Sequence, residues 1–340
     1  MRCCCRSSPL ALAALLSAGV LMVQAAAAVP KNADAIPPRI EALYGSGSYK
    51  TAAEALQTEI GRSPKDSSLY YWLGRCYFEL HDFDRSISSW EHAVALDSAR
   101  SEYHDWLGRA YGRKAEEDSR TKMASALSLA HRTHHEFETA VQLDAGNVDA
   151  QRDLIAFMAS APANLGGGED NALNQIRALS AVDPPEGMLA LADFYATRKR
   201  FEQASDEYQK VLKSAPDRIE AYLEAADFYR GRSDAVLMEQ AVEAAAKISA
   251  SDRRLTYYQG VALVLENKDS DTAEKDLRAY IAIVPDNSEL PPHSSAYEYL
   301  GKLYEDRRQP DLAVEQYKAA LAIDPQNKAL HDALKRLQKK

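Results

Sequence analysis

Three histidines stand in the sequence at a spacing that could bind a metal ion. His131, His134 and His135 occupy positions i, i+3 and i+4, so on a helix they share one face. Imidazole nitrogens one turn apart can share a divalent metal, and a nearby carboxylate can complete the coordination. The metalloprotease motif H-E-x-x-H is absent. The segment is interpreted as the solvated face of a helix, with a metal site as the alternative.

A run of three glycines, Gly166, Gly167 and Gly168, is the second candidate for chemistry. Glycine-rich loops bind phosphate where they follow a strand and precede a Lys-Ser or Lys-Thr pair, but this run follows a helical pattern and no such pair comes after it. Consecutive glycines allow positive φ and a close backbone approach, at a cost in conformational entropy. The run predicts a structured loop that contacts another chain or packs over an adjacent element, with a plain insertion as the alternative.

Motifs of covalent catalysis are absent from the sequence. There is no G-x-S-x-G, no S-x-x-K with its companion motifs, and no cysteine paired with a plausible histidine. Cys76 belongs to a helical pattern and is expected to be a small buried apolar residue. We therefore expect a non-catalytic protein that uses no cofactor.

The segments that carry these residues follow a helical period, which is clearest in residues 294–327. Small and aromatic residues recur there in two runs, separated by a polar turn and closed by an Asp-Pro pair. This pattern predicts two short amphipathic helices joined by a turn. It resembles the tetratricopeptide repeat, a helix pair with a period of about 34 residues. The residues that carry the resemblance are Leu300, Gly301 and Tyr304 in the first run and Ala313, Tyr317 and Ala320 in the second.

The same pattern recurs backwards along the chain. The first unit is degenerate, and the third closes 13 residues late because an insertion rich in helix formers lies near residues 114–131. The insertion is expected to lengthen both helices of that unit. The predicted organisation is a signal peptide at 1–28, N-terminal repeats at 29–147, an atypical unit with the glycine run at 148–184, repeats at 185–287, a linker at 288–293, a repeat at 294–327 and a capping helix at 328–340.

The resemblance implies an all-α fold for nearly the whole chain after the signal peptide. In this family, stacked helix-turn-helix units form a right-handed α-solenoid, and here a C-terminal capping helix is expected to close it. The first helix of each unit lines a concave groove. The family binds peptides or protein segments and has no catalytic residues of its own, so a protein or peptide partner is implied.

Charged residues occupy the positions that face the groove in this family. They make the groove basic in its N-terminal half and acidic in the middle, and neighbouring arginines can bind a carboxylate of a partner. Ordinary solvated charges are the alternative interpretation. The predicted peptide-binding residues are Arg75, Arg109, Arg113, Arg152, Asp193 and Asp227, and Gly166, Gly167 and Gly168 are predicted loop contacts.

The N-terminus carries the features of a secretory signal peptide. Arg2 and Arg6 precede an uncharged apolar run from Leu10 to Val23, and the alanines that follow offer cleavage sites. We expect an exported protein, in a bacterial periplasm or outside the cell, with no stable membrane insertion after cleavage. The alternative is an uncleaved anchor, because 10–29 could just span a bilayer. Cleavage makes the formal net charge more negative than −9, which argues against a nucleic-acid partner.

The favoured hypothesis is an exported scaffold that binds a protein segment in the groove. Two alternatives stay open. One is a metal-binding envelope protein that uses the histidine cluster, and the other is a structural spacer in an envelope assembly.

Overall fold

The computed structural model describes residues 36–337, and the predicted signal peptide lies outside this range. All regular elements among these residues are helical, with 17 α-helices, one 3-10 helix and no strand. This confirms the predicted all-α repeat fold. No helix in this part of the chain is both long and apolar enough to cross a membrane. The described residues form two compact units, at 36–211 and 212–337.

The helices follow one another along the chain in pairs. In the first unit they are α1 (Pro38–Gly45), α2 (Tyr49–Arg62), α3 (Ser67–Glu79), α4 (Phe83–Leu96), α5 (Ser101–Asp118), α6 (Met123–Leu143), α7 (Val148–Ser160), the 3-10 helix η1 (Ala163–Leu165), α8 (Glu169–Val182), α9 (Pro184–Thr197) and α10 (Phe201–Ser214), whose last turn reaches the boundary. In the second unit they are α11 (Ile219–Gly231), α12 (Ala235–Ile248), α13 (Arg254–Leu265), α14 (Ser270–Ile283), α15 (His293–Asp306), α16 (Pro310–Ile323) and α17 (Lys328–Leu337).

The turn inside a regular repeat has one recurring geometry. After α3, the Asp82 backbone N–H donates to the Tyr77 carbonyl at 2.9 Å, and His81 between them has φ 55°. This is the hydrogen bond that closes a helix through a residue in the left-handed region. Asp82 then begins α4, where its carboxylate accepts from the Arg85 N–H. A residue with positive φ also follows α9, α11, α13 and α15. These residues are Lys199, Ser233, Asn267 and Arg308.

In the second repeat the two helices touch through a glycine on the first and a large side chain on the second. A Cβ added at Gly74 would lie 2.6 Å from the Trp90 ring, so only glycine fits there. Ser86 also crosses the interface, since its hydroxyl donates to the Gly74 carbonyl at 3.0 Å. Trp90 is fully buried and joins the core formed by α1 to α5. The sequence pattern of small and aromatic residues therefore encodes this helix contact.

The third repeat differs from its neighbours in helix length. Its helices α5 and α6 have 18 and 21 residues, whereas α3 and α4 have 13 and 14. The insertion near 114–131 lies in these two helices and the turn between them. The helices that follow, α7 and α8, return to 13 and 14 residues. The ends of α5 and α6 therefore extend beyond the length that the next helix pair can cover.

The last helix packs on the repeat before it. Leu330 and Ala333 of α17 are buried, while Lys335 and Arg336 lie in its last turn. Arg336 reaches back to Glu305 of α15 at 2.7 Å. The helix thus covers apolar surface with one face and presents charge with the other, which is the arrangement expected of a cap.

Candidate binding surface and pocket

Arg75 lies in an aromatic cluster. Only 4% of the residue is exposed, and its guanidinium lies 3.9 Å from the centroid of the Trp106 ring. The rings of Tyr44 and Trp72 lie at 5.3 and 5.7 Å, and its Nη1 donates to the Tyr71 hydroxyl at 3.3 Å. Cation–π contacts of this kind stabilise a desolvated arginine. Arg75 therefore connects α1, α3 and α5, and a partner could reach it only by displacing these contacts.

Arg109 is held between two buried aspartates. Its Nη2 lies 3.1 Å from Asp105 one turn earlier, and its Nε donates to Asp153 on α7. Its guanidinium also stacks over Trp106, at 4.5 Å from the ring centroid. The side chain keeps 16% of its surface exposed. No hydrogen bond within residues 36–337 uses its Nη1, so one amino group of Arg109 is available to a ligand.

The two aspartates beside Arg109 do not share their charge equally. Burial raises the pKa of Asp105 well above the usual value, and repulsion from Asp153 adds to the effect. One Asp105 oxygen, Oδ1, is buried without a hydrogen-bond partner in the described part of the chain, a position that disfavours an ionised carboxylate. Burial also raises the pKa of Asp153, although its hydrogen bond from Arg109 opposes this. Asp105 is therefore the more readily protonated of the two carboxyls, and Asp153 is the one that more readily keeps a negative charge beside Arg109.

Arg152 links α7 to α9. Its Nη1 lies 3.1 Å from Glu186 and its Nη2 lies 2.6 Å from Asp193, and only 5% of its side chain is exposed. Asp193 also accepts a hydrogen bond from the Tyr208 hydroxyl on α10. Two arginines of the predicted basic half thus pair with carboxylates on the neighbouring first helix. Arg109 pairs from α5 to α7, and Arg152 from α7 to α9.

The two remaining charges of the predicted set differ in exposure and location. Arg113 keeps 37% of its side chain exposed and pairs with Glu116 one turn later, at 3.0 Å. Asp227 lies in the second unit, where it accepts from Arg230 at 3.0 Å and from the Tyr258 hydroxyl at 2.7 Å. Arg113 is therefore the most accessible of the predicted anchoring arginines. Their role in binding stays a prediction.

The three histidines do not converge in the structure. His134 is half-buried and stacks on Phe157 of α7, with ring centroids 5.3 Å apart, while His131 and His135 are exposed. Within residues 36–337, no group of three or more His, Cys, Asp or Glu side chains lies close enough together to hold a metal ion. The three histidines lie close together on α6, but only His134 packs against α7. The geometry gives the metal hypothesis no support.

The glycine run folds back on the end of α7. The Gly168 N–H donates to the Met158 carbonyl at 2.9 Å, and Gly166 and Gly168 adopt φ values of 89° and 127°. A Cβ on Gly166 would collide with the His134 ring, and one on Gly167 would collide with the Ala161 carbonyl. The glycines are therefore required for contacts within the chain. Of the two interpretations of this loop, the geometry favours packing over an adjacent element, and contact with another chain stays a prediction.

The lengthened helices and the glycine loop enclose a pocket of about 80 Å³. Its wall is formed largely by small residues, including Gly112 and Ala115 on α5, Ala126 and Ala130 on α6, and Ala156 on α7. Phe157 and Leu165 add larger apolar surfaces, and Arg109, Glu116 and Asp153 supply the charged part of the lining. Burial raises the pKa of Glu116, which Arg113 partly opposes. The pocket is thus an apolar space with ion-paired groups in its wall.

Sequence reasoning identified the insertion, the histidines and the glycine run as three separate features. That they meet at one place was not predicted. In the structure, Gly166 packs against His134, and the pocket lies beside them. The only available signal was their adjacency in the third and fourth repeats. Cys76, by contrast, is where its helical pattern predicts, because it is fully buried and burial raises its pKa to about 12. Its thiol is therefore a poor nucleophile.

Comparisons with known proteins agree with the repeat pattern. Two models of the tetratricopeptide repeat match the chain, one at residues 39–101 and the other at 185–218 and 294–327. No curated protein matches the sequence. Among solved structures, a tetratricopeptide repeat protein from Parabacteroides merdae is 15% identical, with 80% of this chain and 98% of that chain covered and a TM-score of 0.48.

Two further structures show the same level of similarity. A tetratricopeptide repeat protein from Thermus thermophilus is 20% identical and covers 56% of this chain and 95% of its own, with a TM-score of 0.45. PilF from Pseudomonas aeruginosa is 12% identical and covers 72% of this chain and 98% of its own, with a TM-score of 0.43. The matches and the helix pairs show that the chain contains repeats of the tetratricopeptide repeat family at residues 39–101, 185–218 and 294–327. Proteins of this family are generally scaffolds for protein–protein interaction, and this chain has the architecture of such a scaffold.

Proposed function

We propose that the protein is an exported, non-catalytic scaffold that binds a segment of another protein along the first helices of its repeats. One observation carries this proposal. The charged residues of α5, α7 and α9 pair from each first helix to the next, through Arg109 with Asp153 and Arg152 with Glu186. Those three helices therefore lie side by side and offer one continuous surface. We call it the first-helix surface, and its charged residues are Arg109, Arg113, Arg152, Glu186 and Asp193.

The charges of the first-helix surface fall into two groups. Arg152 is buried and both of its amino groups are paired, so it positions its neighbours, whereas Nη1 of Arg109 makes no hydrogen bond within residues 36–337 and Arg113 keeps an exposed side chain. Arg109 is held rigidly by its aspartates, and a pre-ordered guanidinium loses little entropy when it binds a partner. Arg109 and Arg113 are therefore the arginines that we assign to contact with the partner.

Site-specific photo-crosslinking in the native cells tests the proposal. A photoreactive amino acid replaces Arg113 on α5, and in the matched control it replaces Arg62 on α2, the second helix of its repeat. Both arginines form a pair with a glutamate three residues away, and Arg62 is the more exposed, at 69% of its side chain against 37%. We expect a discrete protein adduct from position 113 and none from position 62. Adducts of equal yield from both positions, or from position 62 alone, would contradict the proposal.

Charge reversal measures how much Arg113 contributes to the free energy of binding. If Arg113 forms a desolvated charge pair with the crosslinked partner, Arg113→Glu is expected to weaken binding by about 2 kcal/mol or more. Arg62→Glu is expected to change the affinity little. Unchanged affinity in the Arg113→Glu variant would remove Arg113 from the contact.

Export is supported by the sequence at 1–28 alone and has its own measurement. Mass spectrometry of the protein from fractionated cells is expected to find it in the periplasm or medium without about the first 28 residues. An intact chain beginning at Met1 in the membrane fraction would instead favour the uncleaved anchor.

A further inference from the structure

We propose that the pocket bounded by α5, α6, α7 and η1 binds one aliphatic side chain of the partner segment, while Arg109 donates a hydrogen bond to the backbone carbonyl of that same residue. This inference rests on the proposed function and names a subsite within it. The ligand class is an uncharged stretch of extended peptide that contains a leucine-sized side chain.

The pocket is a consequence of how these two repeats depart from the regular pattern. In the second repeat Trp90 covers Gly74, and in the third Phe137 covers Gly108 in the same way, at 2.7 Å from an added Cβ. At Gly112, one turn after the corresponding Gly108, the nearest atom to an added Cβ is the Thr133 methyl group at 3.6 Å, an ordinary contact distance. The second helix of this repeat places Ala126 and Ala130 there instead of large side chains. The space is therefore built into the sequence of three helices.

The size and lining of the pocket favour an aliphatic side chain. An engineered cavity of about 150 Å³ lined by apolar residues stays dry and binds benzene, with its six carbon atoms. A volume of about 80 Å³ is close to half of that, which suits the three or four carbon atoms of a branched side chain. Eleven of the sixteen lining residues are apolar, among them five alanines, Phe157 and Leu165, so a water inside would find few hydrogen-bond partners. An aliphatic side chain buried there would contact the apolar groups of the wall.

The charged part of the wall favours a neutral acceptor over a carboxylate. Arg109 lines the pocket, its Nη1 makes no hydrogen bond within residues 36–337, and Asp153 accepts from its Nε. Glu116 in the same wall is paired with Arg113 at 3.0 Å. A ligand carboxylate would add a negative charge beside Asp153 and Glu116, whereas a peptide carbonyl accepts from Nη1 and adds none. The wall and the pocket together therefore match a backbone carbonyl next to an aliphatic side chain.

A photoreactive leucine derivative tests the proposal on the purified full chain. The probe is N-acetyl-photo-leucine methylamide, in which a diazirine lies within a leucine-like side chain. We expect irradiation to label residues of α5, α6 or η1 that line the pocket, as located by peptide mass spectrometry. N-acetyl-leucine methylamide is expected to suppress this labelling, and N-acetyl-glycine methylamide is not. N-isopentylacetamide, which lacks the carbonyl of the residue itself, is expected to compete about tenfold less well.

A glycine substitution in the wall provides a variant that should fold well. Gly112→Ala adds one methyl group where the structure has room, and alanine is the better helix former. We expect this variant to be thermally at least as stable as the wild type and to bind the leucine compound about fourfold or more weakly, because it occupies part of the pocket. Gly61→Ala on α2 is the matched control, since nothing lies within 4 Å of its added Cβ. It is expected to leave labelling unchanged.

Three outcomes would overturn the inference. They are absence of labelled pocket residues, labelling that Gly112→Ala leaves unchanged, and occupation by xenon or benzene with no competition from the leucine compound. The last would identify a dry cavity without a peptide ligand. These outcomes are separate from failure of the proposed function. A partner that crosslinks at position 113 while the pocket stays unlabelled would leave the scaffold function in place and remove only the subsite.

Discussion

The second and third repeats of the chain share one helix contact and differ beyond it. In the second, α3 and α4 approach until Trp90 covers Gly74, and the short turn at His81 closes the pair. In the third, Phe137 covers Gly108 in the same way, but α5 and α6 are longer and their extended ends enclose space. A regular repeat thus uses its small residues for helix contact. An irregular one uses small residues, such as Gly112, to leave room.

The largest expected effect lies in the regular repeat. Trp90→Ala should lower the free energy of unfolding by about 3–5 kcal/mol, because Trp90 is fully buried and its removal leaves a large cavity. Denaturant unfolding followed by circular dichroism measures the change. Leu96→Ala, at the exposed end of the same helix, is the control and should lie within about 0.5 kcal/mol of the wild type. Equal losses in both variants would show that the tight contact does not dominate this repeat.

Alanine substitution at Gly74 and at Gly112 should change the stability of the protein in opposite directions. Gly74→Ala should destabilise the protein by about 1–3 kcal/mol, since its Cβ would lie 2.6 Å from the Trp90 ring. Gly112→Ala should instead stabilise it by about 0.5–1 kcal/mol through helix propensity. Both changes are measured by thermal unfolding of matched samples. A loss at Gly112 as large as that at Gly74 would mean that the extended ends of α5 and α6 are packed as tightly as the contact between Gly74 and Trp90.

The helix pairs could be predicted from the sequence because their signals are local. Leu300, Gly301 and Tyr304 belong to one helix, and Tyr317 meets Gly301 within the same repeat. Contacts between repeats are different. Arg109 and Asp153 are separated by 44 positions in the sequence, so their pairing depends on how two helices of different repeats are aligned. The pattern could place Arg109 on the first-helix surface without revealing its partners.

The contacts that the sequence did not predict share a physical cause. Arg75 was expected to line the groove, but it is covered by Tyr44 of α1, and the degenerate first repeat gave no sign of that contact. The contact between His134 and Gly166 depends on the length of an insertion and on backbone angles that only glycine adopts readily. Periodicity reports which face a residue occupies. It does not report what an irregular neighbour places over that face.

Asp105, the buried aspartate beside Arg109, should make the free energy of unfolding depend on pH. The pKa of Asp105 is raised in the folded state, mainly by burial, so its stabilising contribution is complete below the unfolded pKa of about 3.9 and is lost as pH rises through the folded value. Asp105→Asn keeps a neutral side chain at every pH. Its free energy of unfolding should therefore fall less than that of the wild type as pH rises, and this is measured by urea unfolding across a pH series. Parallel pH profiles for the two proteins would contradict a raised pKa of Asp105 in the folded state.

The smallest expected effect concerns the turns. In the regular repeat formed by α9 and α10, Lys199 adopts φ 58°, which disfavours any residue with a Cβ. Lys199→Gly should stabilise the protein by about 0.5–1 kcal/mol, because the gain from relieving this conformation exceeds the entropy lost by glycine. At Gly166 the reverse change, Gly166→Ala, should destabilise it, since the added methyl group would meet the His134 ring as well as an unfavourable φ of 89°. Thermal unfolding of the two variants decides the matter. If both changes were neutral, the irregular loop would be no more constrained than a regular turn, and the close packing beside the pocket would have no energetic consequence.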